Sequence, residues 1–126
     1  MQLRVARHTD DLNKAISFYV DILGLENLGS FQNHNDYDGI FIGKSNDNWH
    51  LEFTCSNEPP QHNFDEDDII ALYPESKKAY DQILESLNKN NIKTYTAKNP
   101  YWNENGILVK DYDGFNVIIS NLRIKQ

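Results

Sequence analysis

The spacing of apolar residues changes period several times along the chain, and each change marks an element. Leu3 to Arg7 is a short run with apolar and β-branched residues and predicts a strand, after which Thr9, Asp10 and Asp11 supply the side-chain oxygens that open a helix. From Leu12 onward Leu12, Ala15, Ile16, Tyr19, Val20 and Leu23 recur at helical spacing, and Gly24 falls where a left-handed residue ends a helix. Three strand-like pieces follow, near Leu25 to Phe31, Gly39 to Gly43 and Trp49 to Cys55, with turns expected at Asp38-Gly39 and across Lys44 to Asn48. This half reads βαβββ.

A polar stretch holding Pro59, Pro60 and the acidic run Asp65 to Asp68 interrupts the pattern and predicts an exposed connection. The order then repeats. Ile69 to Tyr73 predicts a strand, a helix starts near Ser76 with Tyr80, Ile83, Leu84 and Leu87 inward, and strands are expected at Ile92 to Thr96, Ile107 to Lys110 and Phe115 to Ser120. The last two are joined by the turn Asp111-Tyr112-Asp113-Gly114. Repetition of element order, more than of residues, suggests an internal duplication. The expected fold is α+β: one domain of two βαβββ modules, about 1–56 and 68–126, forming a curved mixed eight-stranded sheet around a cleft, with helices outside. Such a cleft is the natural ligand site.

Charge narrows the partners. The net charge of -7, from 19 acidic and 12 basic residues, offers no basic stripe for a phosphate backbone or an anionic membrane, so nucleic acid and membrane are not expected partners. Cys55 is the only cysteine, which excludes an internal disulfide. With no signal peptide or membrane-spanning apolar run in sight, the cytoplasm is the expected location.

Asp11-Leu12 opening a helix, Phe18-Tyr19 within it and Leu23-Gly24 at its end resemble the first-module signature of the vicinal oxygen chelate superfamily, which includes glyoxalases and the bleomycin- and fosfomycin-resistance proteins. His50 to Thr54 resembles that module's fourth strand, and Asp111 to Phe115 the hairpin before the last strand. More narrowly, Gly29 to Phe31, His34 to Gly39, His50 to Thr54 and Asn99 to Trp102 are similar to the YycE-type bacterial proteins. The resemblance covers nearly the whole chain; it implies the fold and leaves the activity open.

Metal enzymes of the superfamily hold a divalent ion with four side chains from four strands, and the ion acts as a Lewis acid on the substrate's oxygens. In this sequence Arg4 falls on the first of those positions, and a guanidinium has no lone pair to donate. Glu52 matches the second. Ile69 and Ile118 fall on the other two and cannot coordinate. One oxygen donor in four predicts no family-type metal and no cofactor, leaving a divalent ion only at a nonstandard site, for which His50, Glu52 and His8 are the candidates. The structural alternative is that His8 caps a strand end and His50 hydrogen-bonds a neighbour.

Several groups are candidates for ligand contact. Arg4 and Glu52 are expected to face one another as an ion pair where relatives place the metal, either as a structural pair or as a ligand anchor. Tyr101 and Trp102, expected in a loop, with Tyr73 and Tyr37, offer flat apolar area for stacking or for core and interface packing. Trp49, Leu51 and Phe53 alternate with His50 and Glu52 and are expected to belong to the core, and Cys55 is expected to be a small buried apolar residue. Three readings follow: a metal-free small-molecule-binding protein; a metal-dependent lyase or thiol transferase, of the lactoylglutathione lyase or fosfomycin-modifying kind; and a metal-free enzyme with His50 and Glu52 as acid and base and Arg4 stabilising an oxyanion. The resemblance also implies a homodimer.

Overall fold

The structure, a computed structural model, describes residues 1–124, which fall into two compact units, Met1–His62 and the residues from Asn63 onward. The N-terminal unit runs β1 (Leu3–His8), α1 (Leu12–Ala15) continued by a π-helical segment (Ile16–Ile22), β2 (Glu26–His34), β3 (Tyr37–Gly43) and β4 (Trp49–Cys55). Its four strands are ordered β1-β4-β3-β2, with β1 parallel to β4 and the other pairs antiparallel. Asp11 caps the helix, its carboxylate accepting from the Asn13 N–H at 2.9 Å. At the far end the Leu23 N–H reaches back five residues to the Phe18 carbonyl, and Gly24 at φ +80° reverses the chain as expected.

The helix buries Phe18, Tyr19 and Ile22, and the sheet buries Ile40, Ile42, Leu51 and Phe53; the Tyr19 and Phe53 rings lie 5.1 Å apart. Each such side chain stabilises the fold by roughly 1.5–3 kcal/mol on burial. Because strand side chains alternate, Arg4, Ala6, His50, Glu52 and Phe41 are left on the opposite face. The hairpin between β2 and β3 differs from expectation. Its turn lies at Asn35 and Asp36, both at positive φ (53° and 69°), whereas Asp38 and Gly39 lie inside β3. Gly39 serves packing: a Cβ there would stand 2.3 Å from the Phe31 ring, which lies across it.

The second unit contains β5 (Ile69–Leu72), α2 (Lys77–Lys89), α3 (Pro100–Asn105), β6 (Gly106–Lys110) and β7 (Asn116–Ser120), with strand order β5-β7-β6. Ser76 caps α2 by accepting from the Ala79 N–H at 3.0 Å. The strand expected over 92–96 is reduced to one bridge between Tyr95 and Leu108, so the described residues form seven named strands. The cause is local. Asn103 accepts from the Ala97 N–H at 2.7 Å and donates to its carbonyl at 3.0 Å, taking both backbone groups away from any ladder. The chain then enters α3 through Asn99 as cap and Pro100 in the first turn, which puts Tyr101 and Trp102 on a short helix instead of a loop.

The Asp111 turn forms as read: its carboxylate accepts from the N–H groups of Asp113 (2.9 Å) and Phe115 (3.0 Å), and Gly114 takes φ +85°. The side chains of Asp65 to Asp68 are exposed, while three of the segment's carbonyls accept from the buried Asn116 amide. The fold is α+β with two sheets. No helix among the described residues is long and apolar enough to cross a membrane.

Candidate functional site on the N-terminal sheet

Parallel register sets the site. Arg4 lies opposite His50, Ala6 opposite Glu52 and His8 opposite Thr54, so these side chains share the sheet face that the helix does not cover. Antiparallel pairing adds Phe41 beside Glu52, and Gly43 and Gly39 beside His50 and Thr54. Arg4 is exposed; His50, Glu52, Phe41 and His8 are half-buried. Arg7 takes the helix side, its guanidinium 5.0 Å from the Phe53 ring centroid.

The expected Arg4–Glu52 ion pair is absent. β1 is the edge strand of its sheet, and its register sets Arg4 across from His50, so the guanidinium Nε–H donates to His50 Nε2 at 2.8 Å. It also lies over the Phe41 ring, 4.7 Å from the centroid, and Phe41 in turn meets His50 edge-on at 5.8 Å. An arginine can only donate, so His50 Nε2 accepts and the ring is neutral, with its proton on Nδ1. No described residue forms an ion pair with Arg4, and Glu52 likewise has no hydrogen-bond or ion-pair partner there. His50 and Glu52 make no hydrogen bond to each other.

His8 occupies a different environment at the end of the same face. Its Nε2 lies 2.9 Å from the Glu58 carbonyl and 3.2 Å from the Ser56 hydroxyl, and its Nδ1 lies 2.8 Å from the Thr54 hydroxyl. A carbonyl only accepts, so Nε2 carries the proton, and in the neutral ring Nδ1 accepts from Thr54. His62 Nε2–H donates to the His8 carbonyl at 2.7 Å, and Tyr37 packs edge-on to the His8 ring at 5.7 Å. His8 thus ties the end of β1 to the loop after β4. His34 ends β2, with its ring 6.2 Å from that of Phe31. Beyond Ser56 an open polar depression of about 500 Å³ runs past Cys55 and Asn57 to Asp36 and Asp38.

In the second unit the equivalent face is apolar. Ile118 is fully buried, pairs with Ala71 and Leu108, and with Ile69 and Trp102 lines a pocket of about 40 Å³. Ligand sites occupy roughly 300–1,000 Å³, so the space suits a few waters at most. Trp102 meets the half-exposed Tyr101 edge-on at 5.0 Å. No group of three or more His, Cys, Asp or Glu able to hold a metal occurs among the described residues. Arg4 carries a cation, Ile118 lies in the core and Ile69 offers no lone pair, whereas Glu52 carries a carboxylate.

Phe41 and Thr54 escaped the sequence reading, although alternation locates both: Phe41 stands between the core residues Ile40 and Ile42, and Thr54 is two beyond Glu52. Ser56 carried no such signal, because its place depends on how the loop folds back.

This arrangement of strands and helices is the fold of the vicinal oxygen chelate superfamily. Profiles of the YycE-like N-terminal domain and the YycE-like C-terminal domain match residues 3–54 and 67–121, and the chain belongs to the YycE-like family. It is 32% identical to the uncharacterized protein YycE of Bacillus subtilis (strain 168) over 124 residues, covering 95% of this chain and 87% of that one. A crystal structure of the Bacillus subtilis YycE protein matches at TM-score 0.78 with 28% identity, over 99% of this chain and 90% of the other. The trypanothione-dependent glyoxalase I of Leishmania major (TM-score 0.73, 22% identity, 96% and 86% covered) shares the fold. So does TnmS3, an antibiotic-binding protein from Streptomyces sp. CB03234 (0.68, 17%, 96% and 94%).

Proposed function

We propose that this protein binds a small molecule on the polar face of its N-terminal sheet, with Arg4, His50, Glu52 and His8 as contacts, and does so without the metal of its metal-dependent superfamily relatives. The observation that carries the reading is the state of Arg4. Its guanidinium, at the position that the family resemblance gives to the first metal ligand, is fixed by His50 and Phe41 and forms no ion pair among the described residues. A cation there opposes a second cation and favours a polar organic ligand. TnmS3, which shares the fold, is an antibiotic-binding protein and lends the binding role a precedent.

A homodimer is part of the proposal: Leu3 and Val5 stand 59% and 50% exposed on the edge strand β1, an apolar strip that a second copy would cover. Sedimentation velocity at micromolar protein should give a single species of about twice the chain mass.

A second reading is a metal-dependent lyase or thiol transferase, favoured by the likeness to the Leishmania glyoxalase I. Thermal-shift screening of metal-stripped protein separates the two. Small polar compounds should raise the melting temperature of the wild type but not of Glu52→Ala or Arg4→Gln, with or without Zn²⁺, Mn²⁺ or Ni²⁺. Stabilisation that requires one of those ions, and is lost in Glu52→Ala, favours the enzyme.

A further inference from the structure

The guanidinium of Arg4 has three uses for its surface, and two are committed. Nε donates to His50, and the ring of Phe41 lies against the group at 4.7 Å. The terminal Nη groups have no hydrogen-bond or ion-pair partner among the described residues, and the side chain is exposed. Such a fork, held in place at one end, has already lost much of the rotational freedom that an arginine ordinarily gives up on binding. His50 fixes Arg4 without neutralising it, because it accepts as a neutral ring.

We propose that the free Nη edge of Arg4 anchors an anionic group of the carboxylate or phosphate type on the ligand. This rests on the reading of the sheet face as a ligand site and adds the ligand's charge. Two parallel N–H donors match two oxygens of either group. Glu52, one cross-strand step along the same face, sets the opposite pole: its carboxylate takes a hydrogen-bond donor, which orients the ligand along β4. With a net charge of -7, the chain as a whole repels anions, so an anion that binds at Arg4 does so through local geometry.

The test is side-chain NMR of the full chain, following the Arg4 Nε–H and His50 ring signals during titration. The probes are benzoate, inorganic phosphate, neutral benzamide and cationic benzamidine. Benzoate or phosphate is expected to shift both signals saturably, and benzamide to shift neither. Arg4→Gln should lower affinity roughly tenfold or more, since a charged hydrogen-bonding partner is lost. Arg4→Lys, which keeps the charge but not the fork, should fall between, and Glu52→Gln, by removing the adjacent negative charge, should tighten anion binding. Response to benzoate alone identifies a carboxylate, and response to both a general oxyanion site. If benzamide or benzamidine shifts the face while the anions do not, the inference is overturned and the ligand face stands. If no probe shifts the face, both fail. Anion shifts that survive in Arg4→Gln also overturn the inference, because they place the binding elsewhere.

Discussion

The two sheets of this protein treat corresponding faces in opposite ways. In the N-terminal unit the face away from the helix carries Arg4, His50, Glu52 and His8, exposed or half-buried, with a cation and a carboxylate that form no ion pair among the described residues. In the second unit the face holding Ile69, Leu108 and Ile118 is packed beneath Trp102, and Ile118 has no exposed surface. Val109, Val117 and Ile119, also fully buried, alternate onto the other side, so β6 and β7 bury both faces. A sheet buried on both sides has little left to offer a ligand; a sheet with one open polar face has more. On the proposed reading, recognition falls to the first unit and packing to the second.

The largest effect that sharpens the contrast is on stability. Ile118→Ala should destabilise by about 2–5 kcal/mol, because the surrounding side chains cannot fully close the cavity. Urea unfolding measures it. A loss under about 1 kcal/mol would show that this face is looser than its burial implies. Next in size, Ser76→Ala removes the cap of α2 and should cost about 1 kcal/mol in the same assay. Substitutions on the open face reverse the pattern: Arg4→Gln and Glu52→Ala should change stability by less than about 0.5 kcal/mol while removing ligand-induced thermal shifts. If either unfolds the protein, the open face is structural and the division of roles fails.

The smallest effect lies on neither face. Lys14 hydrogen-bonds the exposed Asp10 carboxylate at 2.8 Å and holds its pKa below the ordinary carboxylate value. A folded pKa below the unfolded one means the pair favours the fold above the unfolded value, a contribution lost as pH falls through the lowered one. Carboxyl-carbon NMR should show the Asp10 pKa rising in Lys14→Met, with His50 and Phe41 signals unchanged.

Most of the fold could be read from the sequence because its signals are short-range. Asp11 and Ser76 as caps, Gly24 at a left-handed helix end and the Asp111 turn all act within a few residues. The failures came where a distant or competing contact decided the outcome. Gly39 suggested a turn but makes room for Phe31, while the real turn used Asn35 and Asp36. Thr94 and Thr96 favour a strand by composition, yet only Tyr95 bridges to Leu108, and Ala97, just after Thr96, gives both backbone groups to the Asn103 amide. At the site, alternation placed Arg4, His50 and Glu52 on one face, whereas which of them pair depended on strand register. Arg4 opposite His50, and not opposite Glu52, is a difference of two residues that periodicity alone does not fix.

The most direct test of the account is titration of metal-stripped protein with Mn²⁺, followed by paramagnetic broadening of backbone and histidine NMR signals. An ion held at Glu52 would bleach the signals of His50, Glu52, Phe41 and His8 at one equivalent of metal. The account predicts no selective loss there at that stoichiometry, and no change between wild type and Glu52→Ala. Stoichiometric broadening centred on Glu52 and abolished by Glu52→Ala would contradict it and return the protein to the metal-dependent members of its superfamily.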